Sequence, residues 1–190
     1  MTAGSLKVSE SRVIADLLLQ DLTPQQWQTA ILEENVLQAR SIATAKRLSG
    51  LLKPRLETMT APLWKLIKDG NQLTATHACL AAAVKYSNLL ADFFELVLKE
   101  QFKLFAPALT NTLWDEFVIE CQNRDADLPE WSQQTIKRLK SSVFQILAQA
   151  GYVEDTKSLK LQNVHVAYEV VDYLEANNEQ RVLRCITVAA

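Results

Sequence analysis

The stretch from Glu34 to Leu56, ENVLQARSIATAKRLSGLLKPRL, is the one around which the rest of the chain is organised. It carries five cations, Arg40, Lys46, Arg47, Lys53 and Arg55, and no acid after Glu34. Ser41 is a good N-cap, because its side-chain oxygen accepts from an orphan backbone N–H of the first turn. Ile42, Ala45, Leu48, Leu51 and Leu52 then recur at helical spacing. At about 100° per residue they cover one side of a helix expected to end near Lys53, since the residue before Pro54 disfavours the helical region. Lys46, Arg47 and Lys53 fall on the opposite side, with Ala43 and Gly50 between them. Small residues between cations let a helix lie close to a phosphate backbone or a groove floor. A solvated face with ordinary charges is the competing explanation.

Outward from this stretch, composition sets the bounds. A chain of 190 residues with 48% apolar and 22% charged residues can bury a core and stay in solution. Four glycines suit a helical protein with few glycine turns. Cys79, Cys121 and Cys185 are far apart, odd in number and without CxxC spacing, so they are expected to be reduced core thiols of a cytoplasmic protein. The N-terminal MTAGSLKVSESR lacks the long apolar run of a secretory signal. The most apolar window, residues 78–98, is interrupted by Lys85, Asp92 and Glu95, and predicts a buried helix and no membrane association. The net charge of −2 is unevenly spread. Residues 1–70 hold nine Lys/Arg against seven Asp/Glu, residues 71–131 four against nine, and residues 132–190 seven against six. A polyanion is therefore expected to meet the two ends of the chain while the middle faces elsewhere.

Taken in order, Ser9 or Ser11 is expected to cap a first helix through Leu18. Thr23-Pro24 restarts a second helix that runs to about Asn35. With the basic helix, these give a helix-turn-helix-like N-terminal unit over residues 1–56. A central helical core is expected over 57–124, with segments around Leu63–Ile67, Ala78–Val84, Leu89–Phe105 and Asn111–Cys121. Asp69-Gly70 suggests a glycine C-cap, Thr74 or Thr76 a helix start, and Ser87-Asn88 a break. The polar connection Arg124–Pro129 opens a C-terminal unit over 125–190. Ser132 caps a helix there that ends at Gly151 and bears Lys137, Arg138 and Lys140. Tyr152-Val153 and Leu159–Leu161 around a polar turn predict a small β-hairpin carrying Lys157 and Lys160, as at the end of a winged helix. Tyr168–Leu174 and Arg181–Ile186 close the chain as helices. The expected fold is mainly α: a compact helical bundle with a helix-turn-helix-like N-terminal part and a small C-terminal winged-helix-like β-hairpin.

Enzymatic chemistry finds no support in the motifs. No Gly-rich phosphate loop can be built from these glycines. His77 and His165 have no companion at metal-ligand spacing. No GxSxG, HExxH or Cys/His nucleophile signature occurs. Asp115, Glu116 and Glu120 share one wet helix face, which favours solvation or partner contact over cation binding. The four tryptophans fall on apolar faces and are expected in the core. Neither a cofactor nor a metal is expected.

Ser11–Leu19 (SRVIADLLL) and Glu33–Leu48 (EENVLQARSIATAKRL), together with the Gly151-Tyr152-Val153 turn, resemble the BrxA family of bacterial BREX phage-defence systems. The resemblance covers nearly the whole chain. It implies a compact, mostly helical cytosolic protein that binds DNA and works beside other BREX components, among them a DNA methyltransferase, a Lon-like protease and an ATPase. It supplies no list of DNA contacts, so the contact residues rest on charge and helical position. Arg40, Lys46, Arg47, Lys53 and Arg55 are expected on phosphates of double-stranded DNA, with Lys137, Arg138, Lys140, Lys157 and Lys160 as a second patch. Asn35 and Gln38 are candidates for base edges, with capping as the alternative for Asn35. Weak sequence preference and a steep salt dependence follow. The alternative function is a protein-interaction adaptor docking through Asp115, Glu116 and Glu120.

Overall fold

The computed structural model describes residues 4–124 and 131–188, and their architecture is helical. The helices are α1 (Val8–Leu19), α2 (Pro24–Gln28), α3 (Ile42–Glu57), α4 (Ala61–Asp69), α5 (Gln72–Tyr86), α6 (Asn88–Asp92), α7 (Lys99–Lys103), α8 (Asn111–Arg124), α9 (Gln133–Gln149), α10 (Tyr168–Ala176) and α11 (Gln180–Ile186). Two π-helical stretches, Thr29–Glu33 and Phe93–Leu98, extend α2 and join α6 to α7. The expected boundary at Arg124–Pro129 begins at the end of α8, and residues 125–130 lie outside the described part.

The centre is α5, every residue of which is buried from Thr74 to Val84. Its alanines, at 75, 78 and 81–83, leave room for neighbours on all sides, and α1, α3, α4, α6, α10 and α11 pack against it. His77 is buried there. Its Nδ1 accepts the Ala167 N–H at 3.0 Å, so the neutral ring carries its proton on Nε2. Burial holds its pKa below the usual imidazole value. The second half is attached through an aromatic cluster. Phe93 meets Trp114 at 5.5 Å, Phe117 edge-on at 5.3 Å and Phe144 at 6.4 Å, which brings α8 and α9 onto the π-helical stretch. Trp114 is fully buried, and Trp27, Trp64 and Trp131 pack half-buried against the core. Cys79, Cys121 and Cys185 are buried thiols, and desolvation pushes Cys79 and Cys185 up to about 12.

Several local expectations are corrected. α1 begins at Val8 after Lys7 in the left-handed region, and Ser11 is a buried donor to the Leu6 carbonyl at 3.0 Å. α3 runs through Pro54 to Glu57. The carbonyl that Pro54 cannot serve belongs to Gly50, which is exposed with open space where a Cβ would stand. α5 starts at Gln72 because Asn71 accepts from the Thr74 N–H at 2.9 Å, ahead of the threonines expected to cap it. Gly70 is the C-cap of α4 as expected, in extended backbone at φ −65° instead of the left-handed region. A Cβ there would stand 2.3 Å from the Leu66 carbonyl oxygen, so close approach is what requires glycine. The break at Ser87 stands as expected, with its side chain accepting from the Leu90 N–H at 3.3 Å.

The C-terminal winged-helix hairpin does not form. Among the described residues, residues 152–161 make only isolated bridges, Val153 with Leu161 and Lys160 with Ala108. Three features explain this. Tyr152 and Val153 are consecutive yet both buried, whereas a one-sided strand turns alternate residues inward. The Tyr152 hydroxyl donates to the Ile186 carbonyl, and its ring packs edge-on against Phe94 at 5.2 Å. Leu159, with φ 50°, cannot continue an extended strand. Its carbonyl accepts from Leu109, and the Leu161 N–H donates to Pro107, so the segment divides its pairing between itself and residues 107–109.

Candidate nucleic-acid interface

The link between the π-helical stretch ending at Glu33 and α3 is eight residues long, 34–41, against about three or four in a helix-turn-helix. It holds its shape through Asn35. That side chain both donates to and accepts from the Ala39 backbone at 2.9 Å, while Asn35 and Gln38 occupy the left-handed region. Asn35 is thus occupied in bracing the loop, and Gln38 is exposed. Ser41 caps α3, accepting from the Thr44 N–H at 3.2 Å, and no acid occurs in the first turn.

The five cations of this region meet different fates. Arg40, Lys46 and Arg47 are exposed, and none makes an ion pair among the described residues. Lys53 lies 4.1 Å above the Trp27 ring and 3.8 Å from Glu57. Trp27 is itself fixed by its indole N–H on the Ser49 hydroxyl at 3.2 Å. Arg55 leaves the phosphate set altogether. It is 4% exposed and donates to the Ser5 carbonyl at 3.0 Å, and desolvation holds its pKa below the usual guanidinium value. The spacing carried that signal: Arg55 follows Leu48, Leu51 and Leu52 by seven, four and three residues, on the apolar stripe itself.

The second patch is also divided. Lys137 and Arg138 are exposed on the first half of α9. Lys140 is half-buried and bonds both oxygens of Asp115, at 3.1 and 3.3 Å. Lys160 pairs with Glu154 at 3.4 Å. The Asp155 carboxylate accepts the N–H groups of Lys157 and Ser158 at 2.6 and 2.8 Å, which holds its pKa down and keeps a negative charge beside Lys157. The expected wing therefore presents two lysines against two acids.

Two acids of the middle, Asp92 and Glu95, are neutralised from the C-terminal part. Arg181 meets Asp92 at 2.7 Å and Glu95 at 3.4 Å, and Arg184 reaches Glu95 at 3.6 Å, whereas Lys85 of the middle is itself engaged by Glu179. With Asp115 held by Lys140, Glu116 and Glu120 remain exposed on α8 around the exposed Ile119. A cation that charge counting passes over is Arg12. Its guanidinium donates to the carbonyls of Lys68 and Gly70 at 2.6 and 2.8 Å and anchors the end of α4. Among the described residues no helix is long and apolar enough to cross a membrane.

The model of the BrxA family matches residues 1–178. A "BREX protein BrxA" of Paramagnetospirillum magneticum is 48% identical over 186 residues, covering 98% of this chain and 94% of that protein. One from Escherichia coli O9:H4 is 32% identical, covering 96% and 86%. The crystal structure of an uncharacterized protein from Magnetospirillum magneticum superposes with a TM-score of 0.92 at 46% identity, over 98% of this chain and 95% of that one. On this agreement over almost its whole length, the chain belongs to the BrxA family of BREX phage-defence proteins.

Proposed function

We propose that this chain is a non-enzymatic component of BREX defence that binds duplex DNA mainly through phosphates and works alongside other BREX proteins. The observation that carries the reading is the group Arg40, Lys46 and Arg47. All three are exposed, without ion pairs among the described residues, on the loop and first half of a long capped helix. The positive end of the α3 dipole and the absence of an acid in its first turn add to the attraction for phosphate. Lys137 and Arg138 on α9 extend the contact. With Asn35 committed to its own loop, weak sequence preference is expected.

The test is a gel shift on random duplex DNA across a salt series. Binding that weakens steeply with salt, and is abolished when Arg40, Lys46 and Arg47 are changed to Glu, supports the proposal. Absence of a shift at low salt, or one indifferent to these changes, refutes it. A docking role through α8 is the second reading, favoured by Glu116 and Glu120 flanking exposed Ile119. Reversing both acids then breaks capture of another BREX protein while leaving the gel shift unchanged.

A further inference from the structure

On the solvent face of α3 an apolar side chain stands among cations. Ile42, the first residue of the helix, is 59% exposed. Among the described residues before Leu73 it is the only large apolar side chain so exposed. Ala43, Lys46, Arg47 and Gly50 are exposed with it, and spacings of three and four put all of them on one side of the helix. The first acid of α3 is Glu57, at its far end. Helical side chains lean toward the N-terminus, so Ile42 extends past the start of α3 toward Arg40. There it borders an open hollow of about 270 Å³, to which Leu32, Ala39 and Ala45 contribute apolar surface and which no acid lines. The unpaired cations fit a polyanion, and Ile42 with its hollow fits an apolar group carried between the charges of that polyanion.

We infer that Ile42 contacts the 5-methyl group of thymine in the major groove of duplex DNA, while Arg40, Lys46 and Arg47 hold the flanking phosphates. The inference rests on the duplex-binding reading above and names the base feature which that reading leaves open. Thymine's methyl is the apolar group that base pairs present in the major groove. That groove, about 12 Å wide, admits a helix, and helices that read it place their N-terminal residues on base edges. The small Ala43 and Gly50 on the same side of α3 let its backbone come close. Double-stranded RNA fits this surface less well, because uracil lacks the methyl and the deep, narrow major groove of an RNA helix shuts side chains out. An apolar contact of this size discriminates modestly, so it gives a leaning toward thymine-rich duplexes and no strict site.

Fluorescence anisotropy of the full chain on two duplexes tests the methyl contact apart from the phosphate contacts. One duplex alternates dA and dT; the other carries deoxyuridine at every dT, which keeps the phosphates and the base pairing and removes the methyl groups. Wild type is expected to bind the deoxyuridine duplex at least about fourfold more weakly, the factor that one buried methyl-sized group supplies, with an unchanged slope against salt. Ile42→Ser is expected to bind both duplexes as weakly as wild type binds the deoxyuridine one, while keeping the wild-type salt slope and, as an exposed substitution, the wild-type melting temperature. Ile42→Val, which retains a branched apolar side chain, is expected to restore the difference between the duplexes. Equal binding of the two duplexes by wild type overturns the inference and leaves the phosphate reading standing. A methyl preference that survives Ile42→Ser also overturns it, because the contact then lies elsewhere, as does duplex RNA bound as tightly as the dT duplex. Absence of binding to either duplex at low salt overturns this inference and the duplex-binding reading together.

Discussion

The two halves of α3 contain similar charges and do opposite things with them. In the first half Lys46 and Arg47 stand in solvent, with Arg40 on the loop before them. In the second half Lys53 lies over an indole ring and Arg55 is sealed under the N-terminal segment. The difference is one of phase. The apolar stripe of Leu48, Leu51, Leu52 and Leu56 includes position 55, and whatever occupies that position is carried into the core. A long side chain at an inward position is kept there because its charged head finds a backbone carbonyl, and the Ser5 carbonyl supplies one. Positive charge in a sequence thus marks an interface only after the stripe has been laid out residue by residue.

The contrast can be broken most severely at Arg55. Arg55→Ala removes a hydrogen bond from a charged group and leaves a cavity, and is expected to cost about 3 kcal/mol in urea unfolding. Its duplex affinity per folded molecule should match wild type. Changing Arg40, Lys46 and Arg47 together to Ala should do the reverse. Stability is expected to stay within about 0.5 kcal/mol, whereas the slope of log affinity against log salt should fall by about 3. Lys53→Ala tests the middle ground. Loss of its contact with Trp27 is expected to cost about 0.5–1 kcal/mol, with little change in salt slope, since the ammonium is already engaged. Lys140→Ala should be the mildest, about 0.5 kcal/mol or less by thermal melting, because its partner Asp115 is more than half exposed.

Much of the helical outline was legible because its signals are local. Thr23-Pro24, Ser41 and Ser132 cap helices as their residue types dictate, and the apolar periods of α3, α8 and α9 reappear as buried faces. The C-terminal hairpin was misread because its cues, Tyr152-Val153 and Leu159–Leu161 about a polar turn, pair with each other only in part and otherwise engage partners remote in sequence. Ile186 takes the Tyr152 hydroxyl, and residues 107–109 take the Leu159 carbonyl and the Leu161 N–H. No local pattern encodes those partners. The same limit applies to the candidate site. Exposure of Lys46 and Arg47 follows from helical phase, but the neutralisation of Asp92 and Glu95 by Arg181 and Arg184 depends on docking α11 beside the Phe93–Leu98 stretch.

The segment before α1 bears on how the chain is made. The Leu6 N–H donates to the Gln149 side chain at the end of α9, while the Ser5 carbonyl holds Arg55. On a ribosome, where a chain emerges N-terminal part first, the Leu6–Gln149 bond has to wait until the 143 positions that separate the two have been translated. Leu6, fully buried in the finished fold, is made that far ahead of its partner and must wait for the bond. Slow elongation between the two therefore prolongs the exposure of this apolar segment, and the hazard during synthesis grows with the separation of a residue from its partner.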